Sequence, residues 1–277
     1  MKNIKDIGKR IYKDNPSIQP FVDAVRNKEP YVPKFSGWGM TTEHEYPWND
    51  QYQGNEFRRA SKDVKEEIEF VDKEERGFEN KARIDLLLWR HWNISYATKF
   101  CLEFADTKEY NFVECGVAEG ITSFFILSEL ESRTDWIDNS TLFLYDSWGK
   151  MKPELLVESE KGFEGRYEGL DIQRTKNNLS KFKTKINFNK GYLPESLTLE
   201  NSPSNICFLH IDLNSSKVTH DVLEFFYPSL VKGGVMIFDD YGHQGYEDTK
   251  LIIDEFFHLK SGLLQKMPTG QAIYYKN

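Results

Sequence analysis

Hydrophobic residues follow two alternating patterns from residue 111 to the end of the chain. Short apolar runs, typical of buried strands, alternate with segments in which apolar residues recur every three or four positions, as in amphipathic helices. This alternation predicts a parallel sheet built from βα units. The predicted strands span residues 111–115, 141–146, 185–189, 205–212 and 234–239, and the predicted helices span residues 121–132, 171–182, 217–230 and 246–259.

Both ends of the chain add further elements. Residues 263–276 contain two short apolar runs around a Pro-Thr-Gly turn, which predicts an antiparallel hairpin at one edge of the sheet. Residues 82–105 have the spacing of a long amphipathic helix, and residues 62–75 predict a charge-rich, solvated helix. We therefore expect a doubly wound, mostly parallel Rossmann-like α/β sheet with an antiparallel C-terminal hairpin and an N-terminal helical and irregular extension.

The first 80 residues differ in character from the rest. Prolines punctuate them, and aromatic residues such as Tyr31, Trp38 and Trp48 lie among glycines and acidic residues. We divide the chain into residues 1–80, an arm or lid that contacts substrate or a second subunit, and residues 81–277, the sheet domain. A static arm that covers the core or a homodimer interface and a lid that closes over substrate both fit this pattern.

The charge and hydropathy of the chain exclude several classes of protein. The 277 residues carry a formal net charge of −8, whereas general binding to nucleic-acid phosphates needs a basic surface. No apolar run approaches the roughly 20 residues of a transmembrane helix, and the N-terminus is charged where a signal peptide is apolar. Cys101, Cys115 and Cys207 are widely spaced in apolar contexts, as buried thiols are in a reducing compartment. We expect a cytoplasmic protein that binds neither nucleic acid nor membranes.

A glycine-rich turn follows the first predicted strand. Glu114 lies at the strand end, and Gly116 and Gly120 frame the turn that leads into the helix at residue 121. Glycines let the backbone turn sharply and approach a ligand, and the amides of a helix N-terminus favour carboxylate or phosphate groups. Because position 118 is Ala118, the middle glycine of the dinucleotide fingerprint is missing, and a nicotinamide cofactor is disfavoured. The alternative is an ordinary βα turn that happens to use glycines.

Acidic residues lie at the ends of later strands as well. Asp146 ends the second strand, where a carboxylate accepts hydrogen bonds from both hydroxyls of a ribose or, alternatively, caps a helix or loop. Asp212, Asp239 and Asp240 follow two further strands; if these strands are neighbours, the carboxylates crowd together and need a cation or raised pKa values. Such oxygens suit an octahedral hard cation. The alternative is that backbone amides and nearby lysines satisfy the three carboxylates.

Among the histidines, we expect His243 to lie nearest to the reacting groups of the site. It follows Asp240 by three residues in a glycine-rich loop at the carboxyl edge of the sheet. A neutral imidazole there is able to take a proton from a substrate. The other histidines, including His91 and His210, are expected to be structural.

The order of these motifs resembles that of the class I S-adenosylmethionine (SAM)-dependent methyltransferases, and more narrowly the macrocin O-methyltransferase family. The resemblance runs from about residue 81 to the end of the chain. Its most specific elements are Phe226-Tyr227-Pro228, Gly233-Gly234 and Asp239-Asp240-Tyr241-Gly242. The resemblance implies a doubly wound fold with a reversed edge strand and metal-dependent methylation of sugar hydroxyls.

The resemblance also implies roles for individual residues. The residues that would bind the methionine, ribose and adenosine portions of SAM are, in this order along the chain, Glu114, Gly116, Gly120, Asp146, Ser147 and Trp148. Those that match the metal-ligand positions, with Mg²⁺ as the expected ion, are Asp212, Asp239 and Asp240.

One position departs from the family pattern. After the first metal ligand the family reads Asp-x-Asp-x-Tyr, and its second Asp is thought to act as general base, whereas this chain has Asn214 there. A carboxamide cannot accept a proton at neutral pH. Asp212, Asn214 and His243 are therefore the candidate catalytic residues, and the identity of the base stays open.

We expect an O-methyltransferase whose acceptor is a small molecule or saccharide, namely a sugar hydroxyl of a glycoside, nucleotide sugar or polysaccharide. The alternatives are a non-catalytic cofactor-binding relative and a metal-independent small-molecule methyltransferase.

Overall fold

Seven strands form one sheet in the computed structural model, which describes residues 46–49, 54–70, 84–133 and 138–277. The strands are β1 (Tyr110–Cys115), β2 (Ser140–Asp146), β3 (Lys185–Lys190), β4 (Ile206–Ile211), β5 (Leu230–Phe238), β6 (Gly262–Lys266) and β7 (Ala272–Lys276). Their order is β3-β2-β1-β4-β5-β7-β6, and β7 runs antiparallel to both of its neighbours while the other pairs are parallel. The predicted fold class, including the C-terminal hairpin, is confirmed.

Helices connect and flank these strands. Within the described residues the α-helices are α1 (Asn55–Glu67), α2 (Leu88–Phe104), α3 (Ile121–Glu131), α4 (Ile172–Asn178), α5 (Ser216–Phe226) and α6 (Glu247–Phe257). The hydroxyl of Ser215 caps α5 by accepting a hydrogen bond from the N–H of Val218 at 3.3 Å. In the described part of the chain, none of the helices has the length and apolar character needed to span a bilayer.

Two apolar cores occupy the two faces of the sheet. On one face, Phe112 and Phe208 belong to the same buried cluster as Phe124 and Phe125 of α3. On the other face, side chains of β4 and β5 pack with those of α5 and α6. Strand β4 is buried along its whole length, which explains its continuous apolar sequence. The central strands therefore hold the residues that follow them in fixed positions.

Helix α1 differs from the sequence prediction in its position and its burial. It spans Asn55–Glu67 rather than residues 62–75, and Phe57, Ala60 and Val64 are buried along one side. The ring of Phe57 lies 5.3 Å from the ring of Phe125 in α3. The prediction of a solvated helix is wrong because the charged residues occupy only the opposite side of an amphipathic helix. Residues 71–75 lie outside the described residues.

Most of the N-terminal arm also lies outside the described residues, so its roles as lid, substrate contact or dimer contact stay predictions. Residues 46–49 are described. The rings of Tyr46 and Trp48 stack with centroids 4.7 Å apart, and both meet the ring of Trp89 edge-on. This short stretch therefore packs against α2.

Candidate active site

The turn after β1 passes very close to the end of β4. Gly116 has a φ of +86°, and a Cβ at this position would lie 1.8 Å from the main-chain oxygen of Asp212. Gly120, which precedes α3, has a φ of +88°. Both backbone conformations favour glycine, and at Gly116 no side chain fits at all. The close approach of this turn to the end of β4 therefore requires glycine at position 116.

Asp146 holds this turn in place from the end of β2. Its Oδ2 accepts hydrogen bonds from the N–H groups of Val117 and Ala118 at 2.7 and 2.9 Å, and its Oδ1 accepts one from the N–H of Trp148 at 2.7 Å. The indole N–H of Trp148 donates to the carbonyl of Ala118 at 3.1 Å and to the hydroxyl of Thr175 at 2.9 Å. The buried Trp148 side chain therefore stabilises the turn. A carboxylate has about four acceptor positions, so the carboxylate retains capacity for a ligand hydroxyl.

A cavity lies in front of the carboxyl ends of β1, β2 and β4. Its lining includes Gly116, Asp146, Ser147, Tyr192, Asp212 and Asn214. Strand β1 lies between β2 and β4, where the strand order reverses. Ligands of open α/β sheets bind at such a switch point. Of the residues predicted to bind SAM, three thus line this cavity, and Glu114 borders an adjoining pocket with Arg90 and Asp239.

Three carboxylates meet beside this cavity. Asp212 follows β4, and Asp239 and Asp240 follow its parallel neighbour β5. One oxygen from each of the three lies within 4.8 Å of the others. Oxygen ligands at about 2.1 Å from an octahedral Mg²⁺ lie roughly 3 to 4 Å apart. The limit of 4.8 Å is slightly longer than this range, so small side-chain movements would bring the three carboxylates to the spacing of a shared hard cation.

The charge of this cluster also fits a cation. Burial, together with the negative charges of Asp239 and Asp240, raises the pKa of Asp212 well above its ordinary value. Burial and the charge of Asp239 raise the pKa of Asp240 to about 6. Without a cation the crowded carboxylates therefore bind protons more readily than isolated ones do, whereas a divalent ion would stabilise their ionised forms.

Asp239 has further partners that the sequence analysis missed. Arg90 of α2 forms an ion pair with its carboxylate and donates to its main-chain oxygen at 2.8 Å, and Nε2 of Gln271 donates to its Oδ1 at 2.7 Å. Burial alone would raise the pKa of Asp239, but the positive charge of Arg90 and the contact with His210 lower it below its usual range. The sequence offers one indication of this role, since Arg90 is the single arginine of the largely apolar helix α2.

His210 lies between Asp239 and Glu114, which is near the carboxyl end of β1. Its Nε2 lies 3.7 Å from Oδ1 of Asp239 and its Nδ1 lies 3.7 Å from Oε1 of Glu114, while the hydroxyl of Ser123 donates to the other oxygen of Glu114. Burial alone would lower the pKa of His210, but the two carboxylates raise it to about 10. A charged imidazole at neutral pH thus links the glycine-rich turn to the carboxylate cluster.

Asn214 lies between the cluster and α5. It has a φ of +52°, its N–H donates to Oδ2 of Asp240 at 3.2 Å, and its Oδ1 accepts a hydrogen bond from the hydroxyl of Tyr246 at 2.6 Å. The sequence analysis did not identify Tyr246, because the contact joins residues 32 positions apart. Asn214 lines the cavity together with Asp212, so the departure from the family pattern lies inside the site.

His243 occupies an exposed loop position at the same edge of the sheet. Its ring lies beside Gly270. Partial burial of the ring, followed by the charge of Arg90, lowers the pKa of His243, which favours the neutral imidazole at pH 7. Among the residues described, no hydrogen bond links its side chain to the three carboxylates, and its catalytic role stays a prediction.

Comparisons with known proteins agree with this geometry. A model of the macrocin-O-methyltransferase (TylF) family matches residues 102–267, more than half of the chain. The solved structure of the O-methyltransferase NovP superposes with a TM-score of 0.59 and 17% identity over 69% of this chain and 80% of that chain. The calicheamicin methyltransferase CalS11 gives a TM-score of 0.57 and 14% identity over 87% of this chain and 98% of its own. No curated protein matches the sequence.

The family match includes the glycine-rich turn, Asp146 and all three clustered carboxylates, because each lies between residues 102 and 267. The reversed strand β7 lies between β5 and β6 rather than at the edge that the resemblance implied. The two solved structures show that the sheet domain has a known methyltransferase fold. The chain therefore belongs to the macrocin-O-methyltransferase family and is a class I SAM-dependent O-methyltransferase.

Proposed function

We propose that the chain transfers the methyl group of SAM to a sugar hydroxyl, with a divalent cation such as Mg²⁺ held by Asp212, Asp239 and Asp240. The observation that carries this proposal is the approach of three carboxylate oxygens to within 4.8 Å of one another beside the cavity. A second structure of CalS11 names that enzyme a TDP-rhamnose 3'-O-methyltransferase, which supports a sugar acceptor. The acceptor is then a glycoside, a nucleotide sugar or a polysaccharide.

The residues at the end of β2 serve the SAM side of the cavity. Asp146 fixes the amides of the glycine-rich turn and keeps acceptor capacity for the ribose hydroxyls. Because Gly116 has no side chain, the turn after β1 can lie close to the end of β4. Ser147 lines the cavity beside Asp146. These groups orient SAM before the acceptor binds.

The residues around the carboxylates serve the acceptor side. Arg90 and Gln271 hold Asp239, and the N–H of Asn214 holds Asp240, so the carboxylate geometry is fixed in advance. A bound cation would supply Lewis-acid chemistry, since it lowers the pKa of an acceptor hydroxyl. Methyl transfer forms an oxygen–carbon bond and breaks the sulfonium sulfur–carbon bond, and positioning of this kind contributes roughly 7–11 kcal/mol in favourable cases. The imidazole of His243, neutral at pH 7, is our candidate acceptor of the hydroxyl proton.

The test combines cation binding with methyl transfer. Protein treated with EDTA should lose most transfer from radiolabelled SAM to a panel of nucleotide sugars and glycosides, and added Mg²⁺ should restore it. Asp239→Asn should retain SAM binding but lose Mn²⁺ binding measured by electron paramagnetic resonance, whereas the surface variant Asp221→Asn should retain both. Full transfer in chelator, with no Mn²⁺ bound by the wild type, refutes the metal-dependent mechanism.

A metal-independent methyltransferase is the second candidate, and the ion pair of Arg90 with Asp239 favours it. The guanidinium already compensates one of the three carboxylates without a metal ion. In that case EDTA leaves the transfer rate unchanged, while Arg90→Gln abolishes it. SAM binding without transfer to any acceptor would instead indicate a non-catalytic relative.

A further inference from the structure

The two ends of the Asn214 carboxamide differ in their hydrogen bonding. Its Oδ1 accepts the hydrogen bond from the hydroxyl of Tyr246 at 2.6 Å. Its Nδ2 has no hydrogen-bond partner among the residues that the structure describes, and the residue lines the cavity beside Asp212. A ligand in the cavity therefore meets a hydrogen-bond donor at this position, whereas an aspartate would offer acceptors alone.

Tyr246 is itself firmly held. Its ring stacks on the ring of Phe163 with centroids 5.3 Å apart and planes 20° apart, and the guanidinium of Arg166 lies 4.6 Å from the centre of the Phe163 ring. Burial and the nearby carboxylates of Asp240 and Asp212 raise the pKa of Tyr246, so the phenol keeps its proton and donates it. Rotation of the carboxamide would lose this hydrogen bond.

The backbone beneath Asn214 is fixed as well. Its N–H donates to Asp240, and the hydroxyl of the next residue, Ser215, donates to the carbonyl of Leu155 at 2.6 Å. The N–H of Ser216 donates to Oε1 of the buried Glu160 at 2.7 Å. Side chain and backbone together leave Nδ2 as the part of Asn214 available to a ligand.

We propose that Tyr246 is a positioning residue that orients Asn214 so that Nδ2 donates a hydrogen bond to an oxygen of the methyl acceptor. The proposal rests on the proposed function, because the acceptor is the molecule that becomes methylated. The carboxamide neither gives nor takes a proton; it selects by hydrogen-bond polarity. A hydroxyl, carboxylate, carbonyl or ether oxygen can accept from this donor, whereas a group that only donates, such as an ammonium, cannot. The pair therefore favours a sugar that carries an accepting oxygen next to the methylated hydroxyl.

The first part of the test needs no acceptor. In protein labelled with ¹⁵N-asparagine, the side-chain NH₂ signals of Asn214 are those that Asn214→Asp removes. Tyr246→Phe should shift these signals, since it deletes only the hydroxyl that binds Oδ1. Tyr274→Phe is the matched control, because it deletes a hydroxyl that donates at the same distance, 2.6 Å, to the carbonyl of Ser261. If the Asn214 signals are the same in Tyr246→Phe and in wild type, Tyr246 does not hold the carboxamide and the proposal is wrong.

The second part measures kinetics with an acceptor methylated by the wild type. Tyr246→Phe should raise KM about tenfold with a smaller change in kcat, the loss expected for one oriented hydrogen bond of about 1.4 kcal/mol. Asn214→Asp should lower kcat/KM at least about tenfold, because it replaces the donor by a charged acceptor. A faster Asn214→Asp variant would overturn the proposal, since position 214 would then serve a base. A wild type that methylates nothing contradicts the proposed function instead, and the NMR result still decides whether Tyr246 holds Asn214.

Discussion

Arg90 of helix α2 binds Asp239 at two points, the carboxylate and the main-chain oxygen, the latter at 2.8 Å. The two residues are 149 positions apart in the chain. The contact therefore joins the helix that precedes the sheet to the carboxylate cluster at the sheet edge. It also places a positively charged side chain next to the proposed cation site.

We predict that Arg90→Gln destabilises the metal-free protein and that Mg²⁺ recovers part of the loss. Deleting a hydrogen bond to a charged group costs about 1.5–3 kcal/mol, and the buried Asp239 loses its compensating charge. Urea unfolding in EDTA and in Mg²⁺ measures both effects. Arg59→Gln, which removes an exposed pair with Glu56, is the control and should change the unfolding free energy little. Equal losses with and without Mg²⁺ would contradict this account.

A buried histidine predicts a pH dependence of stability. His91 is 6% exposed and stacks on Phe125 with ring centroids 4.5 Å apart. Burial, with the charges of Arg90 and His210 also contributing, lowers the pKa of His91 from 6.5 to about 3. The folded protein thus keeps this imidazole neutral at pH values where the unfolded chain takes up a proton.

The sign of the effect follows from this difference. Between pH 6.5 and about 3 the unfolded state binds one more proton at His91, so its contribution to stability is lost as the pH falls, by about 1.4 kcal/mol per unit. His91→Phe retains a stacked ring and should remove that slope. Unfolding free energies at pH 7, 6 and 5 test it, with the exposed His220→Asn as control. Parallel curves for wild type and His91→Phe would show that His91 takes up its proton at the same pH in the folded and unfolded states, and would contradict the prediction.

Asp146 predicts the strength of SAM binding. Asp146→Asn replaces one accepting oxygen by an NH₂ donor, which would then face the N–H groups of Val117 and Ala118 or that of Trp148. It also removes the charge that strengthens hydrogen bonds from the ribose hydroxyls. We expect the affinity for SAM in calorimetry to fall about tenfold or more. Asp171→Asn, at the exposed cap of α4, should bind SAM normally. Unchanged affinity in a folded Asp146→Asn protein would remove this residue from the site.

The sequence predicted those features whose causes are local. Strand β4 is buried throughout and therefore has an unbroken apolar sequence that is easily recognised. Helix α5 begins at Ser216, one residue before its predicted start, and it ends at Phe226 rather than at residue 230 because a 3₁₀ turn containing Pro228 follows. In α1 the many charges concealed the buried stripe of Phe57, Ala60 and Val64.

Long-range partners could not be predicted in the same way. The aspartates at strand ends were recognised because the ends of neighbouring parallel strands meet at one edge. Arg90, Gln271 and Tyr246 come from a preceding helix, the final hairpin and the start of α6, and no local pattern says which strand end each one approaches. The hydrogen bond of the Trp148 indole N–H to the turn was not predicted, and the place of Trp148 near the adenosine stays a prediction.

The close approach of the turn after β1 to the end of β4 gives the last prediction. At Gly116 a Cβ would lie 1.8 Å from the carbonyl oxygen of Asp212 and the backbone has a φ of +86°, so Gly116→Ala must push the two strand ends apart as well as strain the backbone. Strain of this kind alone costs about 1–3 kcal/mol, and the displaced ends carry both the turn held by Asp146 and the first of the clustered carboxylates. We therefore expect a lower midpoint of thermal unfolding together with weaker SAM binding. Gly162→Ala is the matched control, because a Cβ there has no atom within 4 Å and should leave both measurements unchanged. If Gly116→Ala retained the stability and SAM affinity of the wild type, the strand ends would have to lie farther apart than the structure places them.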